Sequence, residues 1–184
     1  MSIVRTFLLS LMLVGIAVLP ATAAAPAPSI VVVDVQKVLR ESTAAKGIRE
    51  QLEAKRNAYQ AEIKKEEDRV RASEQEVVKN RATLSKEALT EKQKTLRQDF
   101  SNLEKKVMAR RRALDMGFAD AMKQVRTALA EIVVNAAKAQ NANIVLPKEG
   151  TMWISPDLEI TDTIISQLNS KLPKVTVTIQ TPKA

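Results

Sequence analysis

Five basic side chains fall within eight residues of this sequence, and only one acidic residue, Glu104, lies beside them. They are Lys105, Lys106, Arg110, Arg111 and Arg112. A helix turns once every 3.6 residues, so a run of this length spreads around most of its circumference. Most such runs are solvated helix faces, which is one interpretation. Because this excess is local and has few acids near it, we expect it to bind acidic protein chains or anionic lipid head groups.

Other kinds of chemistry find little support in the composition. The sequence has no His and no Cys, which removes the commonest general base, the commonest metal ligand and all thiol chemistry. Four glycines leave no phosphate-binding loop of the usual kind. We expect a structural role for Asp34, at the end of a predicted strand. The sequence therefore predicts a protein that is not an enzyme and has no catalytic residue, cofactor or metal.

The N-terminal residues have the pattern of a secretory signal. Arg5 precedes a predominantly apolar run at residues 7–19, and Ala21, Thr22 and Ala23 form a cleavage site of small residues. The run is too short to span a bilayer as a helix. We therefore expect residues 1–23 to be removed and a mature chain of residues 24–184 to be exported. An uncleaved N-terminal anchor is the alternative.

The positive charge is concentrated in the middle of the chain. The net charge is +8 and the isoelectric point is about 9.8. Residues 46–138 contain 22 Lys and Arg against 15 Asp and Glu, which accounts for all of the excess in the mature chain. A basic protein invites nucleic acid as a partner. We expect none, because aromatic residues make up 3% of the chain, no recognition motif is present and export separates the protein from nucleic acid.

Residues 29–146 contain no proline and only two glycines, the composition of long helices. We expect two antiparallel helices that turn back at residues 80–84, with Ser85 capping the second helix and Glu87 in its first turn. A single unbroken helix is the alternative. The first helix has a thin apolar stripe, whereas the second has the fuller seam of a two-helix coiled coil. That seam comprises Leu89, Leu96, Phe100, Leu103, Val107, Leu114, Phe118, Val125, Leu129 and Ile132.

Short β-like segments flank the helices and predict a small base. Residues 30–33 read as a buried strand, and residues 144–146 and 151–154 read as two strands joined by a turn. Thr161 and Asp162 start a short helix that ends at Pro173, and residues 175–179 alternate like an edge strand or a loose end. So few strand residues cannot bury themselves, so the base should form a homo-oligomer. Its predicted oligomer residues are Ile30, Val31, Val32, Val33, Ile144, Val145, Leu146 and Trp153, with Trp153 in the core of the base or, alternatively, a ligand platform.

Several of these segments together resemble the Skp (OmpH) family of periplasmic chaperones for outer-membrane proteins. The resemblance extends over the mature chain as far as Leu172 and rests on the order and spacing of several short matches, since no single motif is highly specific. The tail after Pro173 lies beyond the pattern. The matching segments are residues 32–39, 41–46, 84–87, 143–146 and 158–168.

The resemblance implies an α+β fold with a helical hairpin on a β-rich base. The base comprises residues 30–41 and 143–172, the hairpin residues 42–142 and the tail residues 173–184. It also implies a periplasmic homotrimer whose hairpins surround a cavity and hold unfolded outer-membrane proteins without ATP. A coiled-coil adaptor or envelope tether that binds a folded partner is the alternative. Binding of anionic lipid, including lipopolysaccharide, is a further one.

Overall fold

The computed structural model describes residues 27–180. The predicted signal segment, residues 1–23, and the last four residues of the tail lie outside this range. The chain is mostly helical, with a small two-stranded sheet. The elements, in chain order, are β1 (Ile30–Val33), α1 (Val35–Glu41), α2 (Thr43–Lys79), α3 (Lys86–Ala139), β2 (Ile144–Pro147), a 3-10 turn (Pro156–Leu158) and α4 (Thr161–Lys171).

Helices α2 and α3 form the predicted antiparallel hairpin. Helix α2 ends at Lys79 and α3 begins at Lys86, so the turn lies where the sequence places it, and the unbroken helix is wrong. The Ser85 hydroxyl oxygen accepts a hydrogen bond from the backbone N–H of Ala88 at 3.2 Å, and Glu87 occupies the first turn. At 1.5 Å per residue the two helices are about 55 and 80 Å long.

The sheet differs from the predicted one. Strand β1 pairs with β2 in parallel, in the register Ile30 to Ile144 and Val33 to Pro147. Residues 151–154 form no strand, so the predicted turn-linked pair is wrong. A parallel pair needs a long crossover connection, and the helical hairpin supplies it. The backbone N–H of Lys148 continues the pairing by donating to the Val33 carbonyl at 2.9 Å. The chain after β2 therefore continues alongside the end of β1.

The core lies at the base of the hairpin, which we call the root. Helices α1 and α4 and strand β1 pack there against the first turns of α2 and the last turns of α3. The tail joins this core, because Val175 and Val177 are buried in the same cluster. Residues 173–180 are therefore neither an edge strand nor a loose end. The largest fully buried apolar side chains of the described chain are Ile48, Ile164, Leu168, Val32, Val33, Val38, Val70 and Val125.

Polar side chains fix the helix starts around this core. The Asp34 carboxylate accepts a hydrogen bond from the backbone N–H of Lys37 at 2.7 Å and caps α1, which confirms its structural role. The start of α2 is held from α4, because the Asn169 side-chain oxygen accepts from the backbone N–H of Thr43 at 2.8 Å. The Ser42 side chain, which stands at the capping position, makes no such bond.

Apolar packing is much thinner beyond the root. Between Ile48 and Val70 no residue of α2 is fully buried, and the first buried residue of α3 is Ala113. The predicted seam of α3 is only partly covered at three positions: Phe100, Val107 and Phe118 are each more than 40% exposed. The predicted contrast between a thin outgoing seam and a full returning one therefore holds only near the root.

Two valines of α2 test the packing of this outer part. Val70 is 2% exposed and Val78 is 69% exposed. We expect Val70→Ala to lower the free energy of unfolding by roughly 2 kcal/mol, because it removes two buried methyl groups and leaves a cavity. Val78→Ala, the matched control, should change it by less than about 0.5 kcal/mol. Urea unfolding followed by circular dichroism measures both. Equal effects would contradict the packing described.

Candidate binding surface on the helical hairpin

Two of the five clustered cations face α2 and form ion pairs. The Lys106 ammonium lies 2.9 Å from a Glu62 carboxylate oxygen and 3.4 Å from one of Glu66. The Arg110 guanidinium lies 3.1 Å from the same Glu62 oxygen, and its carbon is 4.5 Å from the centre of the Tyr59 ring. The expectation that the cluster lacks acidic partners is wrong for these two residues, which connect α3 to α2.

The other three cations point away from α2. Lys105, Arg111 and Arg112 are exposed, and none forms an ion pair within the part of the chain that the structure describes. Exposed cations without nearby acids keep their long-range attraction for negative charge, which salt screens. The cluster therefore divides into a pair that holds the hairpin together and three cations, which we call the free cations, that face the surroundings.

Apolar side chains lie among the free cations. Spacings of three, four and four residues place Lys105, Met108, Arg112 and Met116 on one face of α3. The side chains of Met108 and Met116 are 68% and 55% exposed. Thioethers are flexible and polarisable and adapt to contacts of many shapes. The exposed large apolar residues of this stretch of α3, which we call the apolar patches, are Phe100, Val107, Met108, Met116 and Phe118.

The ion pairs between the helices shift the pKa values of their members. A hydrogen bond from Lys106 and a further one from Arg110 lower the pKa of Glu62. Hydrogen bonds from Arg69 and Lys106 lower the pKa of Glu66. The hydrogen bond to Glu62 raises the pKa of Lys106. Each shift favours the charged form, so these groups stay ionised over a wider pH range than free side chains.

A second exposed surface lies on the base. Val31, Val32 and Val33 are buried within their own chain, whereas Ile144, Val145 and Leu146 of β2 are each 38–39% exposed. Strand β1 pairs with β2 and forms an isolated bridge to Glu159, so β2 is at the edge of the sheet. Trp153 is 81% exposed, so its predicted place in the core is wrong for the single chain. The apolar side chains of β2 and of Trp153 are therefore exposed in the single chain.

Sites of other kinds are not found in the described residues. No group of three His, Cys, Asp or Glu side chains could hold a metal ion in residues 27–180. No helix in that range is both long and apolar enough to cross a membrane.

Sequence reasoning missed the acidic partners on α2 and the role of the methionines. Glu62 and Glu66 lie some forty residues before Lys106, and only the register of the two helices brings them together. A signal was present, since the glutamates recur four residues apart on a helix with few apolar residues. Met108 and Met116 had no assigned role, although their spacing from Lys105 and Arg112 places them on one helix face.

The fold and these surfaces define a class of protein: a long helical hairpin on a small base, with an extended exposed surface along the hairpin. The family model described as "Outer membrane protein (OmpH-like)" matches residues 29–168. The chain therefore belongs to the OmpH-like family, and the resemblance found in the sequence is confirmed. No curated protein matches this sequence.

A solved structure has the same architecture. It is a crystal structure of an OmpH-like protein from Caulobacter crescentus CB15, described as a candidate outer-membrane chaperone. The two chains share 19% identity and superpose with a TM-score of 0.79, over 85% of this chain and 93% of the other. At this identity the match establishes the fold.

The ion pairs predict how stability depends on pH. The pKa of Glu62 and that of Glu66 lie below the ordinary value of 4.5 in the folded chain, so the unfolded chain binds protons first as the pH falls. Their contribution to stability is present above that value and is lost as the pH falls through the folded pKa. We expect Glu62→Gln with Glu66→Gln to reduce the drop in the melting temperature between about pH 7 and pH 3.

Glu67→Gln is the control for this experiment. Glu67 is an exposed neighbour on α2 and forms no ion pair within the described residues. Its substitution should leave the drop in melting temperature as it is in the unmodified protein. An equal drop in all three proteins would show that the pairs between α2 and α3 contribute nothing to stability.

Proposed function

We propose that this protein is an ATP-independent periplasmic chaperone that holds unfolded outer-membrane proteins and prevents their aggregation. Membership of the OmpH-like family supports a chaperone role and location in the periplasm. The observation that carries the proposal is the mixture of apolar patches and free cations along one arm of the hairpin. Such a surface offers many weak contacts, which suits unfolded chains of varied sequence.

The charges contribute at longer range than the apolar patches. Lys105, Arg111 and Arg112 attract acidic chains over about 10 Å at moderate salt, after which apolar contact retains them. Lys106 and Arg110 have a different part in this proposal. They maintain the hairpin while their neighbours bind.

Assembly of three chains would turn the single arm into an enclosure. The exposed edge of β2 offers unpaired backbone groups beside apolar side chains, which favours pairing with another copy. Apolar surface at Val145 and Trp153 would then become buried. We propose a homotrimer whose bases join through β2 and the loop after it, so that three hairpins surround a cavity for the client.

A coiled-coil adaptor that binds a folded partner is the second candidate. The length of the hairpin favours it, since a rod of this kind spans distance well. A holdase binds several unrelated unfolded barrel proteins and ignores their folded forms, whereas an adaptor does the reverse. Salt-sensitive binding to vesicles of anionic lipid without a client would favour the third candidate, a peripheral binder of membranes.

The first test is suppression of aggregation without nucleotide. The purified mature protein should reduce light scattering when a barrel protein is diluted from urea. Charge reversal of Lys105, Arg111 and Arg112 to Glu should weaken capture several-fold at low salt and much less at high salt, because screening already removes that attraction.

A matched reversal on α2 distinguishes the cluster from total charge. Lys55, Lys65 and Arg71 are exposed and form no ion pair within the described residues, so reversing them changes the net charge equally. We expect this control to capture clients nearly as well as the unmodified protein. An equal loss in both triple variants would contradict a role for the free cations in particular.

The second test measures assembly. Light scattering should give about three times the single-chain mass for the mature protein. Val145→Lys should reduce this mass. It should also shift the fluorescence of Trp153, the single tryptophan, to longer wavelength, because the indole becomes exposed to water. Val78→Lys, at the far end of α2, should do neither. A single-chain mass for the unmodified protein would contradict the trimer and its cavity.

A further inference from the structure

The tail at residues 173–180 lies extended against the root of the hairpin without belonging to any strand. Val175 and Val177 are 3% and 7% exposed, and Ile179 packs against the same cluster. Thr176 and Thr178 between them are exposed. This alternation has the period of a β-strand with one buried face. The family match ends at residue 168, so the tail is an addition to the matched region.

One side chain of α2 takes the place of a neighbouring strand. The Gln51 amide nitrogen donates to the Val175 carbonyl at 2.8 Å, and its amide oxygen accepts from the backbone N–H of Val177 at 3.0 Å. A carboxamide carries both a donor and an acceptor, so it satisfies two backbone groups of an extended chain. Both bonds go to the tail's backbone. Any extended segment presents these same two groups, unless a proline stands where the N–H is needed.

A glycine of α3 leaves room for the tail. A Cβ atom at Gly117 would lie 2.5 Å from Ile179 Cδ1 and 3.1 Å from the Thr178 carbonyl oxygen. Gly117 is in the middle of a long helix, where glycine costs about 1 kcal/mol relative to alanine. The helix thus keeps a destabilising residue at the point where the tail passes. We call the surface formed by Gln51, Gly117 and the apolar side chains beneath Val175 and Val177 the tail seat.

We propose that the tail seat is a binding site for extended client segments in which apolar residues alternate, and that the tail occupies it when no client is bound. Backbone bonds supply affinity independent of sequence, and the buried positions select apolar side chains at every second residue, as in strand addition to a sheet edge. Strands of membrane barrels have this alternation. The inference rests on the proposed function, because it names the part of a client that this site takes.

Occupation by the tail sets a threshold for clients. The tail is tethered beside the seat, so its effective concentration is high and a weak segment does not displace it. A client that presents several alternating segments at once competes better than a single short peptide. The tail would therefore cover the apolar surface of the seat in the free protein and leave the seat when a long unfolded barrel protein binds there.

The first experiment releases the tail within the full mature chain. Val175→Asp with Val177→Asp places charges on the two buried positions, which should free the tail while circular dichroism stays helical. A labelled peptide with the sequence of residues 173–184 should bind this variant at least about tenfold tighter than the unmodified chain, by fluorescence anisotropy. The variant should also bind an unfolded barrel protein several-fold tighter.

Two matched pairs of substitutions locate the binding. Added to the released variant, Gly117→Leu fills the seat and Gln51→Leu removes both backbone bonds, so each should abolish peptide binding. Ala119→Leu and Gln60→Leu are the controls, because Ala119 is exposed on α3 and Gln60 is exposed on α2. Both controls should bind the peptide as the released variant does.

Hydrogen exchange tests the unmodified chain and needs no variant. The amide of Val177, bonded to Gln51, should exchange slowly in the free protein and faster when an unfolded barrel is bound. Equal client affinity with and without the released tail, together with unchanged exchange at Val177, would overturn the inference and leave the holding activity standing. Failure of every variant to bind any unfolded barrel would instead refute the proposed function, and this inference with it.

Discussion

The parallel pairing of β1 with β2 is the constraint on which the rest of the structure depends. It brings residues 30–33 beside residues 144–147, so the long helices α2 and α3 between them must leave the base and return. The helical hairpin is the crossover of that pair, and its two arms begin and end within one small core. The root is consequently well packed, whereas few side chains of the outer arms are buried, Val70 and Val77 among them. An extended exposed surface follows from this topology.

Much of the helical architecture could be predicted from local signals. The cap at Ser85, the acidic first turn and the absence of proline placed the hairpin turn, because these features act within a few residues. The partner of β2 could not be predicted in the same way. Strand pairing depends on where the hairpin returns the chain. The mostly apolar sequence of residues 151–154 is compatible with a strand and also with the exposed loop that it forms.

The arrangement of the basic cluster and of the tail could be predicted only in part. The density of charge around Arg111 was visible in the sequence, but the division between paired and free cations depends on the register of α2 against α3, which places Glu62 opposite Lys106. The alternation in the tail was equally visible. The surface against which the tail packs could not be predicted. The side chain of Gln51 on α2 bonds the tail's backbone, and Gly117 on α3 leaves room for it because it has no Cβ.

The outer arms are joined largely by opposite charges, and this affects how the hairpin responds to heat. The cost of removing charged groups from water falls as temperature rises, so pairs such as Glu62 with Lys106 hold comparatively better in warm solution. Apolar packing, which holds the root, weakens on cooling. Both effects have the same sign, so cooling weakens the apolar contacts of the root and the ion pairs of the arms together. The contacts along the whole pair of helices are thus weaker in the cold, although two different interactions supply them.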